Sequence, residues 1–113
     1  MHEMSTCKKL INQIEEVAGS QQGKSVKSVT LSIGALARVD VDELIELFPF
    51  ASHGTCAENA NLLIEREPIF IKCISCNRES SVSASDMSCP ICRSEQTQLL
   101  SGTDMLLKEL EFA

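Results

Sequence analysis

The chain has 113 residues, enough for one ordinary domain or for one small domain that carries a smaller module. Hydrophobic residues make up 43% of it but aromatic residues only 4%, so its core must be built from Leu, Ile, Val and Ala. The net charge of −6 argues against a protein that coats nucleic acid or an anionic membrane, because phosphate groups are bound by clusters of Lys and Arg.

The first half of the chain alternates helix and strand patterns. Apolar side chains recur with a 3.6-residue period over residues 4–18 and predict an amphipathic helix; they are Cys7, Leu10, Ile11, Ile14, Val17 and Ala18. Residues 25–33 alternate apolar and polar side chains and predict a strand, and residues 61–67 predict a second one.

A second helix is predicted between these strands. Asp40 stands where an N-cap is expected, and Leu44, Leu47 and Phe48 follow at helical spacing. Pro49 lies inside this pattern and lacks a backbone N–H, so we expect it to kink or shorten the helix.

The character of the sequence changes after Pro68. Residues 69–103 are rich in Ser and Cys and poor in large apolar side chains, so this module needs a metal or disulfides to hold a fold. Residues 105–112 predict a last strand, with Leu106, Leu110 and Phe112 on one face. The predicted fold is α+β: a small three-stranded sheet with two helices, plus an inserted four-cysteine zinc-ribbon-like module. One domain then comprises 1–68 and 104–113, and 69–103 form the zinc-binding module.

The strongest chemical signal is a pair of CxxC motifs, Cys73-Ile-Ser-Cys76 and Cys89-Pro-Ile-Cys92. Four thiolates brought together by two such turns suit tetrahedral Zn²⁺, and with no position open to water the site is predicted to be structural. An accidental set of cysteines, an iron site and a redox dithiol are the alternatives. Zinc is favoured because neither motif is flanked by aromatic residues and neither follows the strand-then-helix context of a thioredoxin motif. A Zn(Cys)₄ group adds about −2 to a module with equal acids and bases, which disfavours phosphate binding.

The remaining candidates are weaker. His2 follows Met1, which we expect to be retained, and the amine, the His2 amide and the imidazole form a chelate suited to Ni²⁺ or Cu²⁺, with Glu3 as a further donor. The alternative is an exposed histidine without a metal. Cys7 and Cys56 are interpreted as packing residues, and His53 as a solvated histidine at a helix end. That the Asp40 carboxylate also lies near the N-terminal site is a hypothesis.

No apolar run approaches the roughly 20 residues of a membrane-spanning helix. The first residues show no basic segment followed by an apolar stretch, so we expect no export signal and a cytoplasmic location. Thiols stay reduced there, which again favours metal ligation over disulfides.

These motifs together resemble the HypA/HybF family of hydrogenase nickel-incorporation proteins. The matching segments span nearly the whole chain: Met1-His2-Glu3, Ile33-Gly34-x-Leu36, Gly54-Thr55 with Glu58-x-Ala60, Leu62-x-Ile64-Glu65, the two CxxC motifs, and Gly102 before an apolar-acidic strand. Two departures are Pro49 in the second helix and Thr103, where many members carry Arg.

The resemblance implies a nickel metallochaperone. It assigns cargo Ni²⁺ to His2, the Met1 amine and Glu3, and structural zinc to Cys73, Cys76, Cys89 and Cys92. The implied partners are the GTPase HypB and the [NiFe]-hydrogenase large subunit precursor, with urease maturation proteins for some members; a homodimer is left open. A zinc-ribbon adaptor or regulatory protein without nickel function is the alternative. An enzyme is not expected, because no nucleophile–base pair is suggested by the spacing.

Overall fold

The computed structural model describes residues 3–19 and 24–113, in which two helices and six strands are formed. In chain order they are α1 Glu3–Ala18, β1 Val26–Gly34, α2 Val41–Ser52, β2 Asn61–Glu67, β3 Ile69–Cys73, β4 Glu79–Val82, β5 Thr97–Ser101 and β6 Met105–Phe112. The strands make two three-stranded sheets, in the orders β2-β1-β6 and β4-β3-β5. This confirms the predicted α+β fold and adds a sheet within the cysteine-rich segment. No helix in the described part of the chain is long and apolar enough to span a membrane.

The chain divides into two compact units. The first unit comprises the described residues of Met1–Leu31, Arg38–Ile64 and Leu107–Ala113, and the second comprises Ser32–Ala37 and Glu65–Leu106. The predicted zinc module, residues 69–103, lies inside the second unit.

Helix α1 forms because one stripe of its surface is apolar, and this stripe packs against α2. Its buried residues are Glu3, Cys7, Leu10, Ile11, Ile14 and Ala18. Val17 was predicted on this face but is 50% exposed, because it lies at the edge of the stripe in the last turn. The stripe instead begins with a carboxylate, since Glu3 is only 1% exposed.

Helix α2 begins with the predicted cap, because the Asp40 side chain accepts a hydrogen bond from the Glu43 N–H at 3.2 Å. It then runs through Pro49 to Ser52, so of the two expected effects of this proline, a kink or a shortening, the shortening does not occur. Pro49 has no N–H to donate to the Ile45 carbonyl, so the helix loses one backbone hydrogen bond at this point.

Strand β6 departs from the predicted pattern. Leu110 and Phe112 are half-buried as expected, but Leu106 is 58% exposed. Met105 and Leu107 are the half-buried residues at the start of the strand, so its alternation changes phase between residues 107 and 110. The prediction that Leu106 shares the face of the other two is therefore wrong.

Backbone hydrogen bonds within the second unit connect the end of β1 and the residue after it to two distant parts of the chain. The Gly34 N–H donates to the Asp104 carbonyl at 2.8 Å, and the Ala35 N–H donates to the Glu67 carbonyl at 3.0 Å. A side-chain carbon at Gly34 would overlap the Gly102 carbonyl, so this approach requires glycine.

Candidate metal centre

The four predicted zinc ligands converge in the second unit. The sulfur atoms of Cys73, Cys76, Cys89 and Cys92 all lie within 4.8 Å of one another. The Sγ–Sγ distance is 3.4 Å between Cys73 and Cys92 and 3.7 Å between Cys76 and Cys89. All four are free thiols.

The two CxxC turns share one hydrogen-bond pattern. In the first, the Asn77 N–H donates to the Cys73 carbonyl at 2.8 Å, and the Cys76 N–H points to the Cys73 sulfur at 3.4 Å. In the second, the Arg93 N–H donates to the Cys89 carbonyl at 2.8 Å, and the corresponding N–H···S distance is 3.5 Å. The residue that ends each turn has a positive φ, 65° at Asn77 and 67° at Arg93. The backbone thus builds two equivalent turns that present their sulfurs to a common point.

These hydrogen bonds set the ionisation of the sulfurs. The Cys76 backbone N–H is the main cause that lowers the pKa of Cys73 to about 6. The backbone N–H of Cys92 likewise lowers the pKa of Cys89. For Cys92 a hydrogen bond from the Ser94 backbone acts in the same direction, but the neighbouring Cys73 sulfur and burial outweigh it and raise the pKa to about 11. The two sulfurs lie close enough to share a proton, and a bound cation would displace it because metals bind the deprotonated sulfur.

The sulfur set fits a tetrahedral metal ion. Bonds of ~2.3 Å from Zn²⁺ to four sulfurs place those sulfurs about 3.8 Å apart. The distances of 3.4 Å and 3.7 Å agree with such a tetrahedron, and they are too long for disulfides. Cys73 and Cys89 are fully buried, whereas Cys92 is exposed. The cluster can therefore hold one metal ion with sulfur ligands alone.

The predicted nickel residues are described only in part. Met1 and His2 lie outside the described residues. Glu3 is buried at the start of α1, and its Oε1 accepts a hydrogen bond from the Asp40 backbone N–H at 3.1 Å. Its Oε2 is buried without a hydrogen-bond partner in the described part of the chain. Glu3 and Asp40 are therefore held together, which joins the first turn of α1 to the cap of α2.

This contact is not predicted from the sequence, where Glu3 is considered only as a further metal donor. A signal was present: Glu3 lies four residues before Cys7, which places both on one helical face. Cys7 is fully buried, as predicted, and its thiol lies 3.7 Å from the Leu44 carbonyl. Burial raises the pKa of this thiol, and the nearby Glu3 carboxylate raises it further.

The two other sequence candidates lie in the first unit. Cys56 is half-buried, and burial is the main cause that raises the pKa of its thiol. His53 ends α2 as its C-cap, and its Nδ1 lies 2.7 Å from Glu58 Oε2 with the imidazole 83% exposed. His53 is thus the solvated histidine that the sequence predicts.

The chain combines a unit with two helices and a second unit in which four thiols converge. These features are those of a small metal-binding protein with sulfur ligands. A family model described as hydrogenase/urease nickel incorporation, metallochaperone, hypA matches residues 1–112. The chain therefore belongs to the HypA family of nickel metallochaperones, which act in hydrogenase maturation.

Individual relatives agree over the full length. The chain is 43% identical over 111 residues to the hydrogenase maturation factor HypA of Aquifex aeolicus, covering 98% of this chain and 96% of that one. It is 40% identical over 111 residues to the corresponding protein of Nitrosospira multiformis, with the same coverage. The solution structure of the Ni metallochaperone HypA from Helicobacter pylori is similar at a TM-score of 0.69 and 28% identity, over 98% of this chain and 97% of that one. The predicted family is confirmed.

Proposed function

We propose that this metallochaperone binds its cargo Ni²⁺ at the N-terminus, through the Met1 amine, the amide and imidazole of His2, and Glu3. The observation that supports this most is the hydrogen bond between Glu3 and Asp40. It fixes the position of Glu3 and the first turn of α1, and the proposed chelating residues are attached directly to this turn. The N–H groups of a first helical turn have no helical acceptor, so the Glu3 amide nitrogen is free of the helix ladder.

The Asp40 carboxylate is a further candidate donor. Its backbone is bonded to Glu3, and one of its oxygens caps α2 through Glu43. This arrangement supports the sequence hypothesis of a carboxylate near the N-terminal site.

We assign Zn²⁺ to the four cysteines as a resident structural ion. Four sulfur donors favour zinc among the common divalent ions, and a site with four protein ligands has no place for a reacting water. The zinc stays bound while nickel exchanges, because nickel sits on an open N-terminal chelate that protonation or a competing ligand releases.

The carrier then transfers Ni²⁺ to the [NiFe]-hydrogenase large subunit precursor in the cytoplasm, together with the GTPase HypB. Some members of the family serve urease, so a urease maturation protein is a candidate additional recipient of nickel from this chain. The chain carries and releases an ion without catalysing a reaction. Co-purification with the GTPase and with the hydrogenase precursor, with and without nickel, tests these partners. Loss of both interactions in the presence of nickel would contradict the proposal.

Nickel titration of the zinc-loaded chain by calorimetry tests the N-terminal site. We expect one nickel per chain and a loss of affinity of at least about tenfold in His2→Ala and in a variant with one residue added before Met1. His53→Ala is the matched control, because it removes an exposed histidine elsewhere.

Full nickel affinity in both N-terminal variants would sink the assignment. Zinc without any nickel in the wild-type chain would favour the second function, a zinc-ribbon adaptor or regulator. Metal analysis of the purified protein separates the two.

A further inference from the structure

The second unit contains a cleft of about 250 Å³ that is lined by none of the four cysteines. Residues with little or no side chain, among them Gly34 and Gly102, form part of its wall. Phe70 and Leu106 are its large apolar lining residues, and Glu67 and Asp104 are its acidic lining residues.

Phe70 faces this cleft because of its position in β3. Its neighbours Ile69 and Ile71 are buried on the opposite face of the strand, and alternation places Phe70 outward. The residues paired with it across the sheet are Ser81 on β4 and Ser101 on β5, which are too small to cover an aromatic ring. Phe70 accordingly remains 39% exposed.

The charged residues that line the cleft are all acidic. Glu67 is half-buried at the end of β2, and Asp104 is exposed just before β6. The ion pairs found among the described residues involve neither carboxylate, and no lysine or arginine lines the cleft. A positively charged ligand would therefore complement these two acidic residues.

Three features select the kind of cation. The volume is below the roughly 300–1,000 Å³ of small-molecule sites, so it suits one side chain better than a cofactor. An aromatic ring attracts a cation over its face, and a planar guanidinium stacks there more readily than an ammonium. Carboxylates bind guanidinium in paired hydrogen bonds. We propose that this cleft binds an arginine side chain of a protein partner, with Phe70 under the guanidinium and Glu67 and Asp104 as its acceptors.

The probe is a pentapeptide, acetyl-Gly-Leu-Arg-Leu-Gly-amide, titrated into the zinc-loaded full chain and followed by the amide NMR signals of Gly34 and Gly102. We expect saturable shifts at these glycines, with millimolar affinity that weakens as salt is added. The same peptide with citrulline, a neutral isostere of arginine, should bind at least about tenfold more weakly.

The Glu67→Gln/Asp104→Asn variant should also lose about tenfold in arginine-peptide affinity, and Phe70→Leu should lose severalfold. Glu79→Gln/Glu95→Gln is the matched control, because it removes two exposed acids of the same unit that lie outside the cleft. The acid-to-amide substitutions keep side-chain shape, and unchanged spectra elsewhere verify the fold of every variant.

Equal binding of the citrulline peptide, or full affinity in the Glu67→Gln/Asp104→Asn variant, would overturn the proposal. Shifts of the same glycines on concentrating the protein alone would also overturn it, since the occupant would then be a second copy of this chain. The inference does not depend on nickel, so His2→Ala should leave peptide binding unchanged.

Discussion

At the scale of single residues, Glu3 has a structural role that its place in an N-terminal motif does not reveal. It is buried among apolar neighbours on α1 and accepts the Asp40 N–H. This hydrogen bond stabilises the contact, but the buried second oxygen of Glu3, which has no partner among the described residues, opposes it. The balance of these two effects is measurable.

Glu3→Ala should destabilise the protein by roughly 1–3 kcal/mol, because the Asp40 N–H loses its acceptor and the stem of the side chain leaves a cavity. Denaturant unfolding of the zinc-loaded chain measures it. Glu16→Ala, an exposed glutamate on the same helix, should change stability by less than about 0.5 kcal/mol. An equally stable or more stable Glu3→Ala would mean that burying the second oxygen costs more than the hydrogen bond contributes.

At the scale of elements, α2 tolerates a proline that local rules exclude. Phe48 and Ser52 continue the buried face on either side of Pro49, and α2 packs against α1. Ser52 is buried there, and its hydroxyl donates to the Pro49 carbonyl at 3.4 Å. Tertiary packing therefore overrides the weak local preference.

Pro49→Ala should raise the free energy of unfolding by about 1 kcal/mol. The new N–H can donate to the Ile45 carbonyl, and the greater freedom of the unfolded chain offsets part of the gain. Thermal and denaturant unfolding provide the measurement, with Glu46→Ala on the same exposed surface as the neutral control. A destabilised variant would show that proline sets the shape of this turn.

At the scale of the whole molecule, the two units draw on different sources of stability. The first unit buries a run of aliphatic side chains from both helices and β1. In the second unit two of the fully buried side chains are the thiols of Cys73 and Cys89, and the large apolar ones are Ile33, Ile69 and Ile71. A metal bound to these sulfurs would supply the folding free energy that so few apolar residues cannot.

A strong chelator should therefore unfold β3, β4 and β5 while α1 and α2 persist. Amide NMR signals resolved by element are the measurement, and they also test the predicted separation of residues 69–103 from the rest. Acid should act in the same direction, because protons compete with the metal for the sulfurs. In the metal-free chain the Cys73 thiolate is present above its pKa of about 6 and is lost as the pH falls through it, so rebinding of the metal weakens on the acid side. Simultaneous loss of all signals would show that the chain folds as one cooperative unit.

Much of the fold follows from local patterns. The predicted strands 61–67 and 105–112 have the bounds of β2 and β6. Helix α1 begins one residue earlier than predicted, and β1 is shifted by one residue at both ends. The sheet of β3, β4 and β5 was not foreseen, because its edge strands consist largely of Ser, Thr and other polar residues without alternating apolar side chains. Pairing with β3, and not intrinsic preference, makes these segments strands.

The metal centre could be predicted from the sequence, whereas the cleft could not. Each CxxC turn consists of four consecutive residues, so metal binding by its sulfurs can be predicted from the sequence alone. The burial of Glu3 depends on a partner 37 residues away, and the cleft depends on Gly34, Phe70 and Asp104 meeting from three separate segments. Such contacts carry no local periodicity, because they arise when distant segments pack, and the folded structure is needed to find them.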